Sequence, residues 1–177
     1  MNTVINERWG KYRHLLNLAE VPAKTVLLRE GEVSKKAYFI EKGCLRLWYI
    51  SNGKDITFQF FFENEGVSSF ESFNTGKPGL FTIETIEPCV LHWIHKEDFD
   101  VILKEDPLIK EQIHAVTVER QLKYMSHFLS FQKDTPKQRY ANLLEEKPHI
   151  IKRVPLQYIA SYLGITPVSL SRIRKII

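Results

Sequence analysis

The sequence predicts an α+β chain: an antiparallel β-barrel or sandwich, then one long helix, then a small helical region ending in a helix–turn–helix. Three observations carry that reading. Between residues 24 and 95, short runs rich in Val, Ile, Phe, Tyr and Trp are separated by glycine and Asn-Gly turns. From Pro107 to about residue 132, apolar residues recur at helical spacing with no breaker among them. Residues 154–177, VPLQYIASYLGITPVSLSRIRKII, set a glycine between two helical segments with apolar residues in a fixed frame.

Strands are expected at residues 25–29, 37–41, 44–51 and 55–62, with Gly31, Gly43 and Asn52-Gly53 between them. Asn-Gly between two apolar runs predicts a tight hairpin, because both residues tolerate a positive φ. After a loop at 74–79, two more strands follow at 81–86 and 89–95. No parallel βαβ pattern appears. The phenylalanines Phe58, Phe60, Phe61, Phe62, Phe70, Phe73 and Phe81 read as core, with a ligand pocket as the sharper alternative.

Helical periodicity takes over at residues 96–105, and the Asp106-Pro107 pair ends one helix and opens the next. Along 107–132, Ala115, Val118, Leu122, Met125 and Leu129 form a heptad seam, while Ile109, Ile113 and Val116 form a second stripe facing the β domain. Two stripes point to a second copy of the chain on one of them; packing within one subunit is the alternative. Thr135-Pro136 opens a further helix to about Glu146, which Pro148 closes. The expected domains are therefore 1–106, 107–133 and 134–177.

At 177 residues and 20.8 kDa, with 44% hydrophobic and 26% charged residues, the chain has the make-up of a water-soluble protein. No apolar run approaches the roughly 18 residues of a membrane helix. The N-terminal MNTVINERWGKYR is charged where a signal peptide needs its apolar centre, so a cytoplasmic protein with no membrane partner is expected. Cys44 and Cys89 are too few for a disulfide framework or a four-thiolate metal site. The net charge of +4 is unevenly spread: residues 133–177 sum to +6 and residues 1–132 to −2. Residues 151–177 hold five basic residues and no acidic one, which points to a polyanion.

Within the C-terminal frame, Gly164 is the turn glycine. Ile159, Leu163, Ile165, Leu170 and Ile173 are the apolar contacts, and Ala160 is the small residue where two helices approach. Thr166 is placed to cap the second helix and Pro167 to occupy its first position, where a missing N–H costs nothing. The second helix of such a unit lies in the DNA major groove. Val168, Ser169 and Arg172 would then face the bases: Arg172 bidentate to guanine, Ser169 to a base or phosphate, Val168 to a thymine methyl. Lys152, Arg153, Thr166, Arg174 and Lys175 are the candidate phosphate contacts.

The order of parts resembles the Crp/Fnr (catabolite-activator) family of bacterial transcription regulators over nearly the whole chain. LLREGEVSKKAYFIEKGCLRLWY is similar to the family's opening strands, TPKQRYANLL to the helix leading into its DNA-binding unit, and ITPVSLSRIRKII to Bacteroidetes-type members. The resemblance implies a cyclic-nucleotide-binding-like jelly roll and a homodimer formed through the long helix. It further implies a winged-helix-like helix–turn–helix, with any distal wing minimal, together with double-stranded DNA and RNA polymerase as partners.

Members that bind cyclic nucleotides carry a Gly-Glu pair followed by Arg-Ser, the arginine neutralising the cyclic phosphate. Here the corresponding stretch is EGVSSFESFNTGKPGLFTIET. Glu71 matches the ribose-binding carboxylate, but Phe70 stands where glycine would, and Gly79 and Leu80 take the Arg-Ser positions. Lys77 is no substitute for a bidentate guanidinium, and Tyr124 and Met125 replace the small hydroxyl residues that would meet the base. A candidate effector pocket of Phe70, Glu71, Gly79, Leu80 and Tyr124 is thus expected to take a more apolar effector than cyclic AMP, or none.

No cofactor and no enzymatic activity are expected. His92 and His95 fall on opposite faces of a strand, and the other histidines are scattered. Two rival readings stay open: a small-molecule-binding or catalytic β-barrel with a helical C-terminus that does not bind DNA, and a regulatory domain that docks a protein through the 115–129 seam.

Overall fold

The computed structural model describes residues 7–177; residues 1–6, the first part of the segment read against a signal peptide, lie outside the described residues. A 3-10 helix at Glu7–Leu15 leads into eight strands: β1 (Asn17–Val21), β2 (Val26–Leu28), β3 (Lys36–Lys42), β4 (Leu45–Ser51), β5 (Lys54–Phe61), β6 (Gly66–Val67), β7 (Thr82–Thr85) and β8 (Cys89–His95). They form two four-stranded sheets, ordered β1-β8-β3-β6 and β2-β7-β4-β5. A short helix, α1 (Phe70–Thr75), interrupts the strands between β6 and β7. Six helices follow: α2 (Lys96–Glu105), α3 (Pro107–Lys133), α4 (Pro136–Glu146), α5 (Pro148–Arg153), α6 (Leu156–Tyr162) and α7 (Pro167–Ile173). Among the described residues, no helix is long and apolar enough to cross a membrane.

The chain divides into two compact units: residues up to Tyr49 with Gln59–Ala115, and Ile50–Phe58 with Val116–Ile177. In the first, Trp9, Tyr12, Ala37, Phe39, Phe73, Ile94, Phe99, Ile102 and Ile109 make one buried cluster, and Ile113 packs against it. That is the role expected of the Ile109, Ile113 and Val116 stripe for its first two residues, whereas Val116 falls in the second unit. Aromatic edges meet within the cluster, Trp9 lying 5.2 Å from Phe39 and Phe73 5.5 Å from Phe99. Asp106 accepts the Leu108 and Ile109 N–H groups at 3.2 Å, capping α3, and pairs with Lys11. Asn52 and Gly53 both have positive φ and close the β4–β5 hairpin as the sequence predicts.

One polar pair is built into the second sheet. Arg46 and Glu84 stand opposite each other on β4 and β7, with nitrogen–oxygen distances of 2.7 and 2.8 Å. The Arg46 side chain is only 3% exposed, so its charge depends on that carboxylate rather than on water.

Five expectations need correction. Strand β1 was not expected; its NLAEV sequence is largely exposed, so alternation is weak, yet it pairs with β8 over five residues. The two-residue β6 also lacks a sequence signal. Residues 70–75 form a helix, which shortens the loop expected at 74–79. Pro148 opens α5 rather than only closing α4, since proline suits the first position of a helix as well as the residue after one. Finally, Phe70 is 52% exposed and is not core, unlike Phe60, Phe61, Phe62 and Phe73.

Candidate nucleic-acid interface

In the second unit, α4 begins with a full capping box: the Thr135 hydroxyl accepts the Gln138 N–H, and the Gln138 side chain accepts the Thr135 N–H. Its buried face carries Tyr140 and Leu143. With Ile150 and Val154, and with Ile159, Ala160, Tyr162, Leu163 and Leu170 of α6, its turn and α7, these are the buried apolar residues of the C-terminal helices. Ile165 and Ile173 are half-buried.

The turn between α6 and α7 has the geometry expected of it. Gly164 sits at φ +68°, and a Cβ there would lie 2.6 Å from Cε1 of Phe131, so both conformation and space call for glycine. Thr166 caps α7 by accepting the Ser169 N–H at 3.1 Å, and Pro167 follows at the first position. The Thr166 and Ser169 hydroxyls also bond each other at 2.9 Å. Both expected DNA-contacting hydroxyls are thus partly committed to the helix start.

On the outer side of α7, Val168 is 62% exposed, and Ser169 and Arg172 are exposed with it. Thr166, Lys152, Arg174 and Lys175 are exposed, while Arg153 is half-buried. Residues 151–177 contain no acidic side chain.

Three residues that sequence reasoning did not single out join the end of α3 to this unit. The Arg139 guanidinium donates to the Leu163 carbonyl at 3.1 and 3.2 Å and to the Asp134 carbonyl at 2.7 Å. It also lies 4.7 Å from the Phe131 ring. His127 stacks on Tyr162 at 4.4 Å and meets the Phe131 edge. Burial holds the His127 imidazole down at about 4, aided by the nearby Lys147 and Arg139 charges, and burial pushes the Tyr162 phenol up to about 12. Arg139 appeared in sequence only as part of the basic surplus; nothing local marks His127.

Along α3, the seam residues Val118, Leu122, Met125 and Leu129 are between 39% and 62% exposed, and Ala115 is exposed too. Phe128 is 64% exposed beside them. A helix that leaves so many large apolar side chains in water has an uncovered face.

The candidate effector residues are divided between the units. In the first, the Glu71 carboxylate accepts the Leu80 N–H at 2.8 Å and the Ser69 hydroxyl at 3.0 Å. Gly79 exchanges backbone hydrogen bonds with Gly31 and Glu32, and a Cβ on it would lie 2.7 Å from the Ser69 Oγ. Phe70 and Leu80 are exposed, at 52% and 61%. Tyr124 belongs to the second unit, where its ring meets Phe58 edge-on at 5.1 Å. His92 pairs with Glu41, and His95 packs on Trp93. Among the described residues, no group of three or more metal-ligating side chains is assembled.

The cyclic nucleotide-binding domain family matches residues 18–106. A search of curated proteins found no match. Among solved structures, FixK2 from Bradyrhizobium japonicum is similar, with a TM-score of 0.78 at 16% identity, over 90% of this chain and 83% of that one. So is the c-di-GMP-responsive global regulator CLP of Xanthomonas campestris, also at 0.78 and 16%, over 94% and 88%. A protein from Eubacterium rectale assigned to the Crp/Fnr family of transcriptional regulators reaches 0.76 at 18% identity, over 97% and 83%. The fold over almost the whole chain is that of these regulators.

Proposed function

We propose that this chain, which belongs to the cyclic nucleotide-binding domain family, is a non-enzymatic, sequence-specific DNA-binding transcription regulator of the Crp/Fnr type, acting as a cytoplasmic homodimer that does not respond to cyclic AMP. The observation that carries the reading is α7. It is capped by Thr166 and anchored by the fully buried Leu170, and it presents Val168, Ser169 and Arg172 outward in a segment free of acidic residues. Arg172 reads guanine, Val168 offers apolar contact to a thymine methyl, and Ser169 supplements them with its shared hydroxyl. Lys152, Arg153, Thr166, Arg174 and Lys175 hold phosphates and set the register.

The exposed seam Ala115–Val118–Leu122–Met125–Leu129 supports dimerisation. Two copies joined along it would set two α7 helices about 34 Å apart, one helical turn of DNA. An effector would act by favouring the dimer geometry with that spacing. RNA polymerase is the expected partner on the promoter.

Against cyclic AMP stands the chemistry around Glu71. Gly79 and Leu80 stand at the Arg-Ser positions, so no arginine is there to neutralise a cyclic phosphate. The Leu80 N–H, which would otherwise be available to an anion, is already given to the chain's own carboxylate. An uncharged, apolar effector against Phe70 and Leu80 remains compatible with the site, as does none.

The test is selection of bound fragments from a random duplex library at about physiological salt, where nonspecific phosphate binding is suppressed. The expected product is a palindrome with half-sites one turn apart. Failure to enrich any sequence, with and without cell extract, would overturn the reading.

A further inference from the structure

Ser161, on α6, makes two hydrogen bonds to a distant part of the chain. Its hydroxyl accepts the Thr57 N–H at 2.8 Å and donates to the Asp55 carbonyl oxygen at 3.0 Å. Asp55 and Thr57 lie on β5, the outer strand of its sheet. An outer strand turns the N–H and C=O of alternate residues away from the sheet, where a neighbouring strand would pair with them. Ser161 takes that neighbour's place with one group, since a hydroxyl both accepts and donates. Thr57 is only 3% exposed, so water is a poor replacement partner.

The same short segment has a second anchor, because Phe58 meets Tyr124 of α3 edge-on at 5.1 Å. Accordingly residues 50–58 cluster with the C-terminal helices rather than with the rest of their own strands. The bonds fall on α6 and leave the outward residues of α7 in water, with Val168 62% exposed. The contact therefore holds the first helix of the pair in place without covering the second.

We propose that Ser161 is a positioning residue: it clamps the tip of the β4–β5 hairpin to α6, so that the hairpin sets where the recognition helix stands. The clamp itself stands on geometry alone; its effect on DNA rests on the function proposed above. Any event that shifts residues 50–58 would then reach α7 through one serine hydroxyl, and releasing the clamp weakens DNA binding rather than freeing it.

The test uses the full chain as wild type, Ser161→Ala and Ser161→Thr. Without DNA, hydrogen exchange at the Thr57 amide should speed up at least tenfold in Ser161→Ala and stay near wild type in Ser161→Thr, which keeps the hydroxyl. With the palindrome selected by the wild type, affinity should fall about tenfold in Ser161→Ala and recover in Ser161→Thr. Should Ser161→Ala fail to fold, Thr57→Pro removes the donor from the strand side, where an outer strand tolerates proline, and should show the same loss of affinity. Unchanged Thr57 exchange in Ser161→Ala would overturn the clamp. Faster exchange with unchanged affinity would overturn its positioning role. A wild type that selects no DNA sequence would overturn the function proposed above, while Thr57 exchange would still decide the clamp.

Discussion

Around Glu71, the first unit keeps the turns and strands of a cyclic nucleotide-binding domain, and the proposed reading is that it no longer holds a cyclic phosphate. Gly79 supplies no guanidinium, and Glu71 occupies the Leu80 N–H. Around Gly164, in the second unit, every residue type the turn requires is present: the glycine at positive φ, the capping threonine, the proline after it and the small Ala160. The difference shows that fold and ligand chemistry have separate requirements. A two-sheet domain needs apolar strands in register, which tolerate wide substitution. An anion site needs particular donors at particular atoms.

Substitutions can sharpen this comparison, beginning with the largest effect. Within the first unit, what is fixed is the fold's own polar pair. Replacing Glu84 with Ala takes the opposing carboxylate from a guanidinium that is only 3% exposed, and should destabilise the chain by about 3 kcal/mol in urea unfolding. Replacing Glu71 with Gln should cost far less and still produce no saturable cyclic AMP binding by calorimetry. Binding restored by that single change would break the argument that the site has lost its anion chemistry.

In the second unit, Arg172→Ala should weaken the selected operator by about 1–3 kcal/mol and relax one base position. Lys175→Ala should instead weaken all sequences alike and lower the salt slope by about 1. Equal effects of the two on base preference would show that α7 is not read as assigned.

The last effect is one of pH. Unfolded, the His127 imidazole takes its proton near 6.5; folded, it resists until about 4. Between those values the unfolded state binds more protons, so stability falls as pH falls through that window and is insensitive to His127 above it. His127→Phe, which keeps the stack on Tyr162, should flatten that limb of a thermal-unfolding profile.

What the sequence disclosed follows the same physical division. The helix–turn–helix was legible because its determinants are local: a cap, a proline, a glycine and apolar residues three to five positions apart. Strands β3, β4, β5 and β8 were legible from continuous apolar runs and from Asn52-Gly53. Strand β1 was not, because NLAEV is an outer strand with little buried surface. Helix α1 was not, because six residues hold too little periodicity. The joint formed by His127, Phe131 and Arg139, and the Ser161 bonds to Asp55 and Thr57 across more than a hundred residues, arise only when the chain is folded. No local pattern announces them. The exposed seam on α3 lies between these cases: its spacing was legible, but its exposure could be read only from the fold.

The central claim is that two copies joined along α3 present two α7 helices at the spacing of one DNA turn. Its most direct test is binding of the selected palindrome against the same palindrome with half a helical turn inserted between its half-sites. The account predicts that the insertion lowers affinity to that of random DNA at the same salt, because the second α7 then faces the wrong side of the duplex. Equal affinity for the two spacings would contradict it.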